Sequence, residues 1–143
     1  MQTPAPTIDL SDIRFGADLK ELTFADVAQD KARVVAETGA GERNKSTQLR
    51  KFYDELVMWH EKVNLARSDA ERTERYREAA PFIKMMIAKV TYARGRKHVD
   101  DCFEKLFTHV VRQIRCPTTL KHAKLFMEAF MGFYKAEEKT KEK

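Results

Sequence analysis

The chain has 143 residues, a formal net charge of +5 and a pI near 9.2. Hydrophobic residues make up 43% and charged residues 34%, while Gly (5) and Pro (4) are scarce. That composition argues against a strand-and-turn architecture and for one all-α domain able to bury a core. No apolar run reaches the length of a membrane span, and an N-terminus with Asp9, Asp12 and Asp18 does not read as a signal peptide. A cytoplasmic location is expected.

In chain order, residues 1–22 read as a partly ordered arm. Pro4 and Pro6 discourage helix, and Ile8, Leu10, Ile13 and Phe15 offer apolar docking groups. Thr23 is a candidate N-cap for a helix reaching about Glu37, with Phe24, Val27, Ala28, Val34 and Val35 inward. Gly39 and Gly41 end it and open a loop. Asn44 or Ser46 is placed to cap the next helix. Its stripe of Leu49, Phe52, Leu56, Trp59 and Val63 recurs at helical spacing.

Ser68-Asp69 is placed to cap a polar, solvated connecting helix. A central helix is then expected over Pro81–Lys97, with Pro81 in its first turn. Because Phe82, Ile83, Met85, Met86, Ile87, Val90 and Tyr92 leave few polar gaps, it reads as the buried core element. Gly95 ends or kinks it. A further helix runs from about His98 to Ile114, broken at Cys116-Pro117, and the last starts at Thr118 or Thr119. The expectation is a single bundle of about five to six helices over 23–137, with a frayed tail over 138–143.

Several chemistries are missing from the pattern. The four histidines make no helical metal spacing, so no metal is expected. No phosphate-cradling glycine loop occurs, and the adjacent carboxylates Asp100 and Asp101 point about 100° apart on a helix. Cys102 and Cys116 would lie about 20 Å apart along one helix, so reduced thiols are expected. No cofactor and no catalytic residue are assigned, and the protein reads as a non-enzyme.

Charge, by contrast, is segregated. Residues 1–38 carry four bases against seven acids, and residues 82–127 carry ten bases against three acids. A segregated positive half suits a polyanion. One cluster opens the second long helix: Lys45, Ser46, Thr47, Gln48, Arg50 and Lys51. A helix N-terminus there would add free N–H groups and a positive dipole end for phosphate. The other is Lys84, Lys89, Arg94, Arg96 and Lys97, with Arg112, Arg115, Lys121 and Lys124 as weaker candidates. Phe82 and Tyr92 read as core residues, so contact is expected with nucleic-acid backbone rather than bases. A helix-turn-helix DNA binder, using Ile114–Thr118 as the turn and Lys121, His122 and Lys124 on the recognition helix, and a purely structural helical adaptor are the other readings.

Three blocks in order resemble a known family. KSTQLRKFYDEL (Lys45–Leu56), IKMMIAKVTYARGR (Ile83–Arg96) and FMEAFMGFYK (Phe126–Lys135) are similar to segments of the small subunit of type III-A CRISPR interference complexes. The Lys-Ser-Thr order before Gln48, and Thr91 before Tyr92, depart from the family pattern. The resemblance implies a non-catalytic, compact helical RNA-binding subunit acting in antiviral defence, which lines the channel of the guide RNA–target RNA duplex. Its implied partners are that duplex, mainly through the target strand's backbone, the backbone and large subunits of the complex, and further copies of itself. No membrane contact is implied. By motif position, RNA contact falls on Lys45, Gln48, Arg50, Lys51, Lys84, Lys89, Arg94 and Arg96, with Lys97 added on charge alone.

Overall fold

A computed structural model describes residues 8–142, with side chains described through residue 138. Pro4 and Pro6 lie outside the described residues. The fold is all-α, with no strand among the described residues. A 3-10 turn at Gly16–Asp18 and a π-turn at Thr23–Val27 precede six helices. These are α1 (Ala28–Thr38), α2 (Ser46–Asn64), α3 (Asp69–Lys84), α4 (Met86–Gly95), α5 (Asp101–Arg112) and α6 (Pro117–Glu142).

The organising helix is α6, not the Pro81–Lys97 stretch. Its Leu120, Ala123, Phe126, Met127, Phe130 and Tyr134 are all buried, and α1, α2 and α3 pack on it. Pro117 opens it at the first-turn position, where a missing N–H costs nothing. The helix continues to Glu142, so residues 138–142 of the expected frayed tail are helical.

The Pro81–Lys97 stretch divides differently from expectation. Pro81 lies inside the last turn of α3, and the chain bends at Met85 before α4 begins. Only one stripe, Ile83, Met86, Val90 and Ala93, faces the core. The opposite stripe is exposed: Phe82 is 54%, Met85 51% and Tyr92 66% accessible. Apolar side chains on both sides therefore do not mark an enclosed helix here. One side packs on α5 and the other faces solvent.

The arm is docked. Ile13 and Phe15 are buried, and the Ile13 carbonyl accepts from Gln113 Nε2 at 2.5 Å and lies 2.9 Å from His109 Nε2. Lys31, only 1% accessible, reaches from α1 to Asp12 at 2.9 Å and fastens the arm with an ion pair. Thr23 is not a helix N-cap but the first residue of the π-turn. Its hydroxyl accepts from the Lys20 N–H behind it, at 3.0 Å. The Gly16 N–H donates to His122 Nδ1 at 3.0 Å, which requires that nitrogen to be unprotonated.

Asn44, between α1 and α2, joins four parts of the molecule. Its φ of 61° turns the chain sharply, a conformation asparagine tolerates. Its N–H donates to the His98 carbonyl at 2.9 Å, and its amide donates to the Val35 carbonyl at 3.3 Å. Its amide oxygen accepts from the Asp100 N–H at 2.9 Å, and its own carbonyl accepts from the Tyr134 hydroxyl. Asp100 then caps α5 through Phe103 N–H at 3.0 Å.

Replacing Asn44 with Ala is expected to destabilise the fold by about 2 kcal/mol or more, because the half-buried Asp100 N–H loses its partner and φ becomes strained, while the Val35 carbonyl keeps the Gly39 N–H and the Thr38 hydroxyl. Asn44→Gly, which removes the strain but not the hydrogen-bond loss, is expected to cost less. Urea unfolding of both variants measures the difference, and equal losses would show that the left-handed turn contributes nothing.

Stability is also expected to depend on pH near neutrality. Burial, then the neighbouring Lys121 charge, holds His122 below its usual value, and burial followed by Lys124 and Lys121 does the same for His60. As pH falls through the ordinary histidine range, the unfolded chain takes up these protons first. Stability is therefore full above about pH 6.5 and falls below it, levelling once the folded-state groups also protonate. Thermal unfolding between about pH 7.5 and pH 5.5 should show the decline, and a His60→Gln/His122→Gln double variant should flatten it.

Candidate nucleic-acid interface

The Asn44 junction holds two basic segments side by side. Backbone pairing of Asn44 with His98 sets the loop before α2 against the turn after α4. The result is an open recess of about 530 Å³ lined by Arg43, Lys45, Gln48, Arg96, Lys97 and His98, with Glu42 at its edge. Four of these, Lys45, Gln48, Arg96 and Lys97, come from both clusters singled out in the sequence. Arg43 and His98 escaped notice because the first sits in a glycine-flanked loop and the second lies at the start of the expected fifth helix. Only their long-range pairing puts them at one site.

The turn after α4 is a Schellman motif. His98 N–H donates to the Ala93 carbonyl at 2.9 Å, and Lys97 N–H to the Arg94 carbonyl at 3.0 Å. Lys97 occupies the left-handed position, with φ 65°, where glycine is the usual residue. Gly95 is instead the last residue of the helix, with nothing within 4 Å of an added Cβ. A lysine held at this backbone conformation keeps its positive charge at the recess.

Carboxylates decide which cations stay available. Lys45 pairs with Glu42 at 2.9 Å, whereas Arg43, Arg96 and Lys97 have no ion-pair partner among the described residues. Arg50 lies 3.7 Å from Asp54, and the Lys51 ammonium donates to Gln48 Oε1 at 3.3 Å, both on the exposed first turns of α2. Lys89 is paired with Glu55 at 2.9 Å, and Arg94 with Glu104 at 2.7 Å, tying α4 to α2 and α5. Lys124 pairs with Glu128 at 3.2 Å. Arg112, Arg115 and Lys121 are exposed but are not among the residues lining the recess.

Lys84 is placed differently from the sequence expectation. Its ammonium points inward and donates to the Val111 and Ile114 carbonyls at 2.7 and 2.6 Å, capping the C-terminal end of α5. Burial, then Arg112 and Arg115, lowers its basicity. The group therefore holds the fold together and does not reach the recess.

The α2 N-terminus is not an empty phosphate cradle either. Neither Asn44 nor Ser46 caps it as expected. Lys45 is the N-cap residue without a side-chain cap, and Glu138 from α6 accepts from both the Ser46 N–H and hydroxyl at 3.1 Å. Burial works to raise the Glu138 pKa, but the Ser46 donors outweigh it and hold the carboxyl below the usual range. A protein carboxylate already uses the dipole end that the sequence suggested for phosphate.

The helix-turn-helix reading finds its recognition residues largely engaged within the fold. α1, α2 and α3 pack on α6, His122 accepts from the Gly16 N–H of the arm, and Lys124 pairs with Glu128, while Lys121 stays exposed. One exposed lysine is a weak basis for reading base edges. No helix among the described residues is long and apolar enough to cross a membrane.

Residues 23–140 match the family model described as Csm2 Type III-A. No curated protein and no solved structure gives a significant match to the chain. The matched span runs from the π-turn to residue 140 of α6 and includes α1 to α5, nearly all of α6 and every residue lining the recess. With that match over most of its length, the chain belongs to the Csm2 Type III-A family, the small subunits of type III-A CRISPR complexes, which associate with the other Csm subunits.

Proposed function

We propose that this subunit is a non-catalytic RNA-backbone binder that lines the guide–target channel and holds the target strand during antiviral defence. The observation that carries the reading is the recess, where Arg43, Arg96 and Lys97 face solvent with no carboxylate partner among the described residues, beside Lys45 and Gln48. Unpaired cations on an open surface suit phosphates, and they act through charge rather than base identity. Arg50 and Lys51 extend the positive surface along the exposed first turns of α2. Lys84, Lys89 and Arg94 contribute by fixing the helices that carry it. Guide pairing supplies sequence specificity in such an assembly, so the protein needs only shape and charge. The backbone and large subunits, and further copies of this chain, are the protein partners in this reading.

Arg43→Ala and Arg96→Ala are each expected to weaken binding of single-stranded target RNA. Each should also reduce the slope of log affinity against log salt by about 0.7 for every phosphate that is no longer neutralised. Filter binding across a salt series measures both quantities. Unchanged affinity and slope in both variants would refute the recess as an RNA site.

Lys97→Gly provides a sharper separation of fold from function. Glycine relieves the left-handed strain, so the variant is expected to be more stable by about 0.5–1 kcal/mol while binding RNA more weakly. Thermal unfolding and binding read the two effects independently. A variant that gains stability and keeps full affinity would remove Lys97 from the interface.

A further inference from the structure

The outward stripe of α3 and α4 runs Phe82, Met85, Lys89, Tyr92 and Arg96, at steps of three, four, three and four. The core is already served by the opposite stripe, so none of these side chains is needed to fill it. Tyr92 is the most exposed aromatic of this stripe, at 66%, and lies on the last turn of α4 beside the recess. Its position is held by Arg96. The Arg96 guanidinium lies 6.0 Å from the ring centroid, and its Nη1 donates to the Tyr92 hydroxyl at 3.4 Å. Arg96 also lines the phosphate-suited recess with Lys97 and Arg43. One arginine thus joins an exposed aromatic ring to a cluster of unpaired cations.

That combination of a π-face beside backbone-tracking charge is what unpaired nucleic-acid bases require. An isolated exposed tyrosine would need no explanation. A tyrosine tethered to a cation of the recess does, because a nucleotide whose phosphate enters the recess brings its base to the same neighbourhood. A base inside a continuous duplex has both faces covered, so the ring selects a base that is unstacked.

We propose that Tyr92, positioned by Arg96, is a stacking platform for one unpaired nucleobase of the RNA whose phosphates occupy the adjacent recess. This rests on the RNA-binding reading above. It adds a base-dependent, salt-insensitive component to a contact that is otherwise pure charge. The sequence pattern places Tyr92 in the core, and its exposure overturns that expectation.

The test compares oligouridylate with a base-free ribose-phosphate strand of equal length, both titrated with the purified chain. The parent is expected to bind the base-bearing strand about tenfold more tightly. Tyr92→Leu should abolish that preference while leaving base-free binding and the salt slope unchanged. Tyr92→Phe, which keeps the ring, should retain the preference, and circular dichroism confirms that both variants fold. Equal parent affinity for the two strands, or a preference that survives Tyr92→Leu, overturns the stacking platform but leaves the phosphate recess standing. It would assign the exposed ring to a protein partner instead. Failure of the parent to bind either strand overturns both readings.

Discussion

The site depends on the buried junction at Asn44. Four hydrogen bonds from one residue, two through its side chain and two through its backbone, tie the end of α1, the turn after α4, the start of α5 and the body of α6. Buried polar groups are costly unless satisfied, and among the described residues no buried side-chain nitrogen or oxygen lacks a partner. A fully satisfied network of this kind admits one arrangement of the segments it joins. The basic recess is built on the solvent side of the same junction. Arg43 and Lys45 flank Asn44 in sequence, and Lys97 precedes its partner His98. A rigid polar interior therefore sets the spacing of the surface charges.

Electrostatics within the fold then selects among many candidate cations. Lys89, Arg94 and Lys124 are drawn to carboxylates on neighbouring helices or turns, and Lys84 to helix-end carbonyls. Such exposed pairs contribute little stability individually. Their effect on function is larger, because a cation with a nearby carboxylate offers less field to an incoming phosphate. Arg43, Arg96 and Lys97 have no ion-pair partner among the described residues, and they line one recess. Lys97 also occupies a left-handed backbone position that glycine would fill with less strain.

The α3–α4 segment shows how one stretch serves two ends. Its inner stripe fills the core against α5, and its outer stripe exposes Phe82, Met85 and Tyr92. Trp59 stacks on Phe82 with centroids 6.0 Å apart, and the Lys62 ammonium lies 5.1 Å from the Trp59 ring.

By itself the sequence determined the all-α class, the inward stripe of α2, and the breaks at Gly39 and Cys116-Pro117. It also carried the three blocks that point to the family. These signals are local: helical periodicity and breaker residues act within a turn or two of their own positions. The tertiary structure decided which helix is central, which side of the Pro81–Lys97 stretch meets solvent, and which cations stay free. It turned Lys84 inward, used Glu138 to cap α2, docked the arm through Lys31 and Asp12, and joined Arg43 and His98 to the recess. Each of these follows from contacts between residues distant in the chain. Periodicity is silent about which of two apolar stripes finds a partner, and charge counts are silent about which lysine meets a carbonyl or a carboxylate. Those outcomes exist only once the helices pack.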